Sequence, residues 1–361
     1  MKKGLLCLLS WIMVFAVIMP SHTTHAVNVK GSTYQSVFLF VNGTFQITQQ
    51  YTQFVNNNKL YIPIKIMDRI PGITIQYGSP LTITGNKGSI TVNESNSFAY
   101  AGVTYVMYKS LLAITDLDGK YASSAQSLFI WSDDEGKRAS SEILTNISQL
   151  PAKYGYFIGQ KIYPFYYPGA YWITNIRYAS SSLYLTIQNK SGDTYEFNSP
   201  VSDLDFLLDS ELTSFNQNWH GKFVWFDNRA YNGSDLNHLE KLTFIAVRVN
   251  DQNDAFVTLQ KSNGKQVRIK LNRQYDTGMM LSDILWAKNP RTVYNWSNSV
   301  WTAISKNKLL SNMTREQVIL SWGEPSDKNT YQSSSLTYEQ WIYSGAYLYF
   351  WNGRLSSAQS R

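Results

Sequence analysis

Ten consecutive residues, Tyr163-Pro164-Phe165-Tyr166-Tyr167-Pro168-Gly169-Ala170-Tyr171-Trp172, carry six aromatic rings around two prolines. Two prolines and a glycine argue against a regular strand, so some of these rings are expected in an exposed loop. Trp219, Trp225 and Phe226 stand at the comparable place of a second copy described below. Exposed Tyr and Trp beside polar groups are typical of binding surfaces, and their flat faces stack on sugars. The competing reading is that the rings fill the core of a small barrel with few other large side chains. The candidate binding residues are therefore Tyr163, Phe165, Tyr166, Tyr167, Tyr171, Trp172, Trp219 and Trp225.

Other chemistry finds less support. Past the first 26 residues the histidines are His220 and His238, and neither has a histidine or cysteine at i+2 to i+4 that would make a zinc pair. No metal site is expected, and His238 reads as a surface-loop histidine. Asp251, Asn253 and Asp254 resemble part of a calcium loop, but its glycine and closing glutamate are missing. A turn between strands at 244–249 and 255–259 fits better. No Gly-x-Ser-x-Gly and no phosphate-cradling glycine loop occurs, so no catalytic residue and no cofactor is assigned. Asp203, Asp205, Asp209 and Glu211 could pair as glycan-cleaving carboxylates, but their spacing near a helix at about 202–211 reads as a solvated face. Glu324, between Gly323 and Pro325, reads as an exposed residue at a helix stop.

The elements that would position these groups follow from composition. Lys2 and Lys3 precede an uncharged apolar run, Gly4 to Pro20, and Thr24-His25-Ala26 supplies small residues at −3 and −1. Residues 1–26 are thus expected to be a secretory signal peptide that is cleaved, leaving no stable membrane insertion. Cys7, the only cysteine, lies inside it behind Leu6 rather than a small residue, so no lipid anchor is expected. An exported chain free of disulfides fits a bacterial envelope. Charged residues are 16% and aromatics 15%. The 30 basic and 25 acidic residues past position 26 are spread without a basic stripe. That excludes nucleic acid as a partner and suits anionic wall polymers or membrane surfaces.

Short alternating segments dominate, with helices expected near 63–70, 107–115, 202–211, 298–306 and 314–322. Leu60-Tyr61-Ile62-Pro63-Ile64-Lys65 is echoed by the series Thr104 to Lys109, each opening a strand–helix–strand run. Residues 132–152, with Asp133-Asp134-Glu135-Gly136-Lys137-Arg138, read as a linker carrying at most one helical turn. A clearer repeat follows. Leu185 to Gly192 returns as Val257 to Gly264 at an offset of 72, each a strand entering a glycine turn. Ile158 to Tyr163 returns as His220 to Trp225 at 62, so the second copy has gained about ten residues, most simply within 228–237.

The first unit, 34–131, resembles the N-terminal "stalk" domain of copper amine oxidases on Val41-Asn42-Gly43, Lys59 to Lys65 and the weaker second copy at 104–109. Met107 stands where that pattern has proline. The resemblance implies a non-catalytic envelope module. Residues 153–214 and 217–290 look like tandem SH3-like barrels by size and pattern. In the last unit Thr314-Arg315-Glu316-Gln317 forms a capping box, and Gly323 and Pro325 stop the helix. With Asn312 to Val318, Trp322 to Pro325, Gln340 to Tyr343 and Leu348 to Leu355, residues 298–361 resemble the BamE/SmpA-like family. Asn312 replaces its glycine, and the lipid anchor of that family is not expected here. That likeness implies a small α+β domain for protein contacts.

The expected fold is β-rich and multidomain: an α+β stalk-like domain, two small SH3-like β-barrels and a C-terminal small α+β domain. The expected function is non-enzymatic binding or scaffolding, secreted or wall-associated, in a Gram-positive envelope. Its partner would be wall glycan, peptide or another envelope protein. The alternative is a hydrolase of wall polysaccharide or peptide, which requires converging carboxylates or a Ser beside His220 or His238.

Overall fold

The computed structural model describes residues 26–47, 53–230, 235–273, 277–333 and 336–361. The expected signal peptide lies outside them, except for Ala26 at its end. No helix among the described residues is long and apolar enough to cross a membrane. The chain is β-rich, with several separate sheets. The described residues divide into two compact bodies: those of 26–213 with the turn 250–253, and those of 214–249 with 254–361.

In the first body, strand Lys59–Pro63 runs into the 3-10 helix Ile64–Arg69, and strand Val103–Met107 runs into the helix Tyr108–Leu112. These echoing segments are neighbours in one nine-stranded sheet, antiparallel, with Met107 opposite Tyr61. Strand alternation separates their faces. Ile62 and Val106 enter one apolar core, while Tyr61 and Tyr105 join a second with Phe54.

The linker expected at 132–152 is instead the 16-residue helix Asp134–Gln149. Asp133 caps it, its carboxylate accepting from the Gly136 N–H at 2.7 Å, and Asp134 and Glu135 favour the positive end of the helix dipole. Ser140, Ile143 and Ile147 are buried at helical spacing, so the charges that suggested a linker are the wet face of an amphipathic helix. Gly136 sits where a Cβ would collide with Asn42, whose side chain also bonds Ser132. One core runs from Phe40 and Phe129 through Ile143 and Ile147 to Ile162, Ile173 and Ile187.

The two repeats form antiparallel five-stranded sheets of the same order. The first comprises Thr194–Pro200, Ser182–Gln188, Tyr171–Ala179, Lys161–Pro164 and Phe206–Leu208. The second comprises Gln266–Lys270, Ala255–Gln260, Lys241–Val249, Phe223–Phe226 and Leu285–Trp286. They agree in register. Ile173 faces Ile187 and Arg177 faces Tyr184, just as Phe244 faces Leu259 and Arg248 faces Phe256, with a bulge at the same place in each. The bends at Gly159 and Gly221 match too, with φ of 78° and 76°, their N–H groups bonding Ile173 and Phe244 carbonyls. The helix expected at 202–211 starts later, as Asp209–Trp219. The buried Phe206-Leu207-Leu208 pairs with Lys161–Pro164 and is held as strand.

At the C-terminal end, helices Asn298–Ser305 and Arg315–Trp322 cover a meander of strands Asp327–Gln332, Thr337–Tyr343, Ala346–Trp351 and Arg354–Ser360. Trp341, Leu348 and Phe350 fill the core between them. The capping box of Thr314 and Gln317 is formed, and Gly323 ends the helix at φ 87°. Glu324 is exposed and pairs with Lys328 at 2.9 Å.

Candidate functional site

The aromatic segment joins two strands of the first repeat, and its rings divide between core and surface. Tyr171 is buried and Tyr163, Phe165, Tyr167 and Trp172 are half-buried, while Tyr166 is 69% exposed. Tyr167 meets Tyr171, Tyr195 and Phe197 at centroid distances of 6.3, 5.2 and 6.0 Å. Trp172 packs against the repeat core. The Tyr163 hydroxyl donates to Asp209 Oδ1 at 2.5 Å, and Lys161 Nζ reaches the same oxygen at 2.9 Å. Burial, reinforced by that carboxylate, raises the Tyr163 pKa, so the phenol keeps its proton. Burial opposes the charge on Lys161, but its bonds to Tyr163 and Asp209 outweigh this and raise its pKa. Asp209 thus braces a loop end, as part of neither a solvated face nor a carboxylate pair.

Asn253 adds a clamp on the loop from a distant turn. Asn253 is 1% exposed and takes φ 59°, a left-handed conformation that asparagine tolerates. Its side-chain N–H2 donates to the carbonyls of Pro164, Tyr167 and Gly169 at 2.6, 2.7 and 3.0 Å, and its Oδ1 accepts from the Gly169 N–H at 3.1 Å. The residues that resembled a calcium loop therefore form the expected turn, and Asn253 serves as a clamp on the aromatic loop.

Beside the loop lies an open groove of about 610 Å³ on the outward face of the first repeat, walled by Asn175, Arg177, Tyr184, Glu196 and Asn198, with Glu142 from the long helix. Phe197 lines the groove and also touches Tyr167. The bulge between Ile173 and Asn175 turns Asn175 into position, where it accepts from Asn146 at 3.1 Å. Arg177 lies 5.3 Å from the Tyr184 ring centroid, and the Thr186 hydroxyl meets Glu196 at 3.4 Å. The groove thus offers a ring, a cation, two carboxylates and amides, the mixture that recognises a hydroxyl- or amide-rich chain. Sequence reasoning missed these residues. Their only signal was the polar members of the alternating strands, which reads as ordinary solvent exposure.

Trp219 and Trp225 belong to the other body and meet other surroundings. Trp219 stacks on Phe215 at 6.4 Å with Lys222 5.4 Å from its ring. Trp225 is half-buried, opposite Trp286, against the C-terminal core. His238, expected on a surface loop, is 1% exposed. Its Nε2 donates to the Leu320 carbonyl at 2.8 Å, and its Nδ1 lies 3.5 Å from Asp227 Oδ1. Arg229 pairs with Asp227 and donates to the Ile319 carbonyl at 2.5 Å, while the Trp286 indole donates to Asp227 at 3.1 Å. These bonds cap the last carbonyls of helix Arg315–Trp322 with a cation and an imidazole, where the helix dipole favours positive charge. The cluster is structural, and it uses the segment gained by the second repeat. His220 is exposed, with its Nδ1 2.7 Å from the Ile245 carbonyl. No group of three His, Cys, Asp or Glu capable of holding a metal occurs among the described residues.

The outer face of the C-terminal meander presents a further ring-bearing surface. Tyr338 lies 5.1 Å from Trp351 and 6.0 Å from Tyr349. A hydrogen-bonded row, Asn329 to Gln340 to Tyr349 to Gln359, crosses all four strands.

Comparison with models of known protein families, with curated proteins and with solved structures finds no match to this chain.

Proposed function

We propose that this chain is an exported, non-enzymatic binding and scaffold protein of a Gram-positive envelope, contacting wall glycan or peptide through the first repeat. The observation that carries this reading is the open groove beside the clamped aromatic loop. Tyr184 and unlike polar groups line it, Tyr166 is exposed on the clamped loop that touches its Phe197 wall through Tyr167, and a rigid surface of that kind loses little entropy on binding. The element order supports the finer assignments: stalk-like module, two SH3-like units and a BamE/SmpA-like end used for protein contacts. Retention of the chain lacking residues 1–26 on purified cell wall tests the reading. Tyr166→Ala with Tyr184→Ala, both at exposed rings, is expected to weaken retention at least about fivefold, from roughly 1 kcal/mol lost contact. Undiminished retention would count against the groove.

The alternative of a wall hydrolase draws on one observation: Glu142 and Glu196 line the same groove. It predicts release of soluble wall fragments that Glu142→Gln and Glu196→Gln each abolish. No fragment release by the unaltered chain removes it.

A further inference from the structure

The register match of the two repeats allows their outward faces to be compared position by position, and the comparison reveals a change of charge. Arg177 and Tyr184 of the first repeat correspond to Arg248 and Phe256 of the second, by identical cross-strand pairing. Glu196 and Asn198, opposite Thr186 and Tyr184, correspond to Arg268 and Lys270, opposite Thr258 and Phe256. The mixed groove of one copy is thus a cationic face in the other. The outward positions of the second sheet carry Lys241, Arg248, Arg268 and Lys270 and no carboxylate. Asp254 beside them is shared by Lys270 at 2.8 Å and Arg273 at 3.4 Å. No ion pair forms at Arg248 or Arg268 among the described residues.

We infer that this face binds a linear phosphodiester polyanion, with Arg248 and Arg268 as its principal contacts. Charge complementarity is the first argument. Four cations on one sheet face set up a field that a polymer bearing a charge on every unit neutralises at several points together. Geometry is the second. Arg248, Phe256 and Lys270 form one cross-strand row and Thr258 and Arg268 lie in the next, on strands that repeat at about 4.8 Å, so the cations are spread over the sheet face rather than gathered at a point. Side-chain chemistry is the third: a guanidinium fork matches the oxygens of a phosphate. A membrane surface fits less well, because the rings on the face are covered, Trp225 by the C-terminal core and the other two by cations. Arg268 lies 4.0 Å from the Phe256 centroid and Lys241 lies 3.6 Å from that of Phe223, leaving no free ring to insert between lipids.

The inference does not depend on the groove of the first repeat, and its test uses a different probe. The chain lacking residues 1–26 would be titrated against poly(glycerol phosphate), against phosphatidylglycerol vesicles and against an uncharged glucan, from low to physiological salt. Binding to poly(glycerol phosphate) is expected. The Arg248→Ala, Arg268→Ala double variant, with unchanged far-ultraviolet dichroism, is expected to bind at least about tenfold more weakly. Its plot of log affinity against log salt should be flatter by roughly one to two units. The corresponding double lysine variant should recover the salt slope. Polymer affinity unaltered by the double alanine change, or binding to the vesicles without binding to the polymer, would overturn the inference.

Discussion

Asp227→Ala is the most demanding test of how the second body is held together. The Asp227 side chain is 7% exposed and that of Arg229 17%. Its carboxylate accepts from Arg229 Nε at 2.8 Å, from the Arg229 backbone N–H at 3.1 Å, from the Arg229 terminal nitrogen and from the buried Trp286 indole at 3.1 Å. Removing it leaves a largely buried guanidinium without its counter-ion and an indole N–H without an acceptor. Breaking one side of such a pair costs about 3–5 kcal/mol, and the orphaned indole adds about 1 kcal/mol. Arg229 keeps the Ile319 carbonyl and gains some water, so the net loss is set at about 4 kcal/mol. With a urea dependence near 2 kcal/mol per molar, the midpoint should fall by about 2 M. The assay is urea unfolding followed by tryptophan fluorescence, since Trp286, Trp301 and Trp341 are all buried in this body. Adding Arg229→Met removes the stranded charge and should recover at least half of the loss. A loss below about 0.5 kcal/mol, or a double variant no better than the single, would refute the claim that this pair bears on stability.

The same cluster gives a pH dependence. Burial lowers the His238 pKa despite the nearby Asp227. The unfolded chain therefore takes up a proton near pH 6.5 that the folded body resists, and stability declines as pH falls below about 6.5. Burial alone would raise the Asp227 pKa, but bonds to Arg229 outweigh it and hold it low, and Arg315 does the same for Glu339. Their contributions are lost further down, as pH falls through the folded carboxylate values. His238→Gln should flatten the upper part of the urea-midpoint profile and leave the lower part. Asn253→Ala removes four hydrogen bonds to the aromatic loop. Hydrogen exchange at Gly169 should accelerate by at least about tenfold, with a stability loss of about 2–3 kcal/mol. Gly159→Ala places a Cβ 2.2 Å from the Phe38 ring at φ 78°, and a loss of about 3 kcal/mol is expected in thermal unfolding of the first body. Thr314→Ala undoes the capping box and should cost about 1 kcal/mol in urea unfolding of the second body.

Much of the local architecture was legible because it depends on neighbours in sequence. The capping box at Thr314 and Gln317 and the stop at Gly323 follow from backbone requirements that few residues meet. The repeat at offsets of 72 and 62 became two sheets of one order, with the added residues between strands Phe223–Phe226 and Lys241–Val249. The misreadings have one cause. Asp133 to Arg138 looked like a linker and His238 looked like a surface residue, because composition shows polarity but not which face of an element meets a core.

The site depended on the same missing information. Of the eight rings expected to mark a binding surface, Tyr166 is exposed and Tyr171 is core, and the groove is lined instead by Glu142, Arg177, Tyr184 and Glu196. Asn253 reaches Pro164 across 89 residues of chain, a distance over which no pattern in the sequence carries information. Sequence alone determined most of the strands, the capping box and stop of helix Arg315–Trp322 and the duplication of one module, since these depend on short-range sterics and alternation. Tertiary structure alone decided which rings stay wet, which histidine is buried and where like charges gather, because burial and electrostatic neighbours are properties of contacts between distant segments.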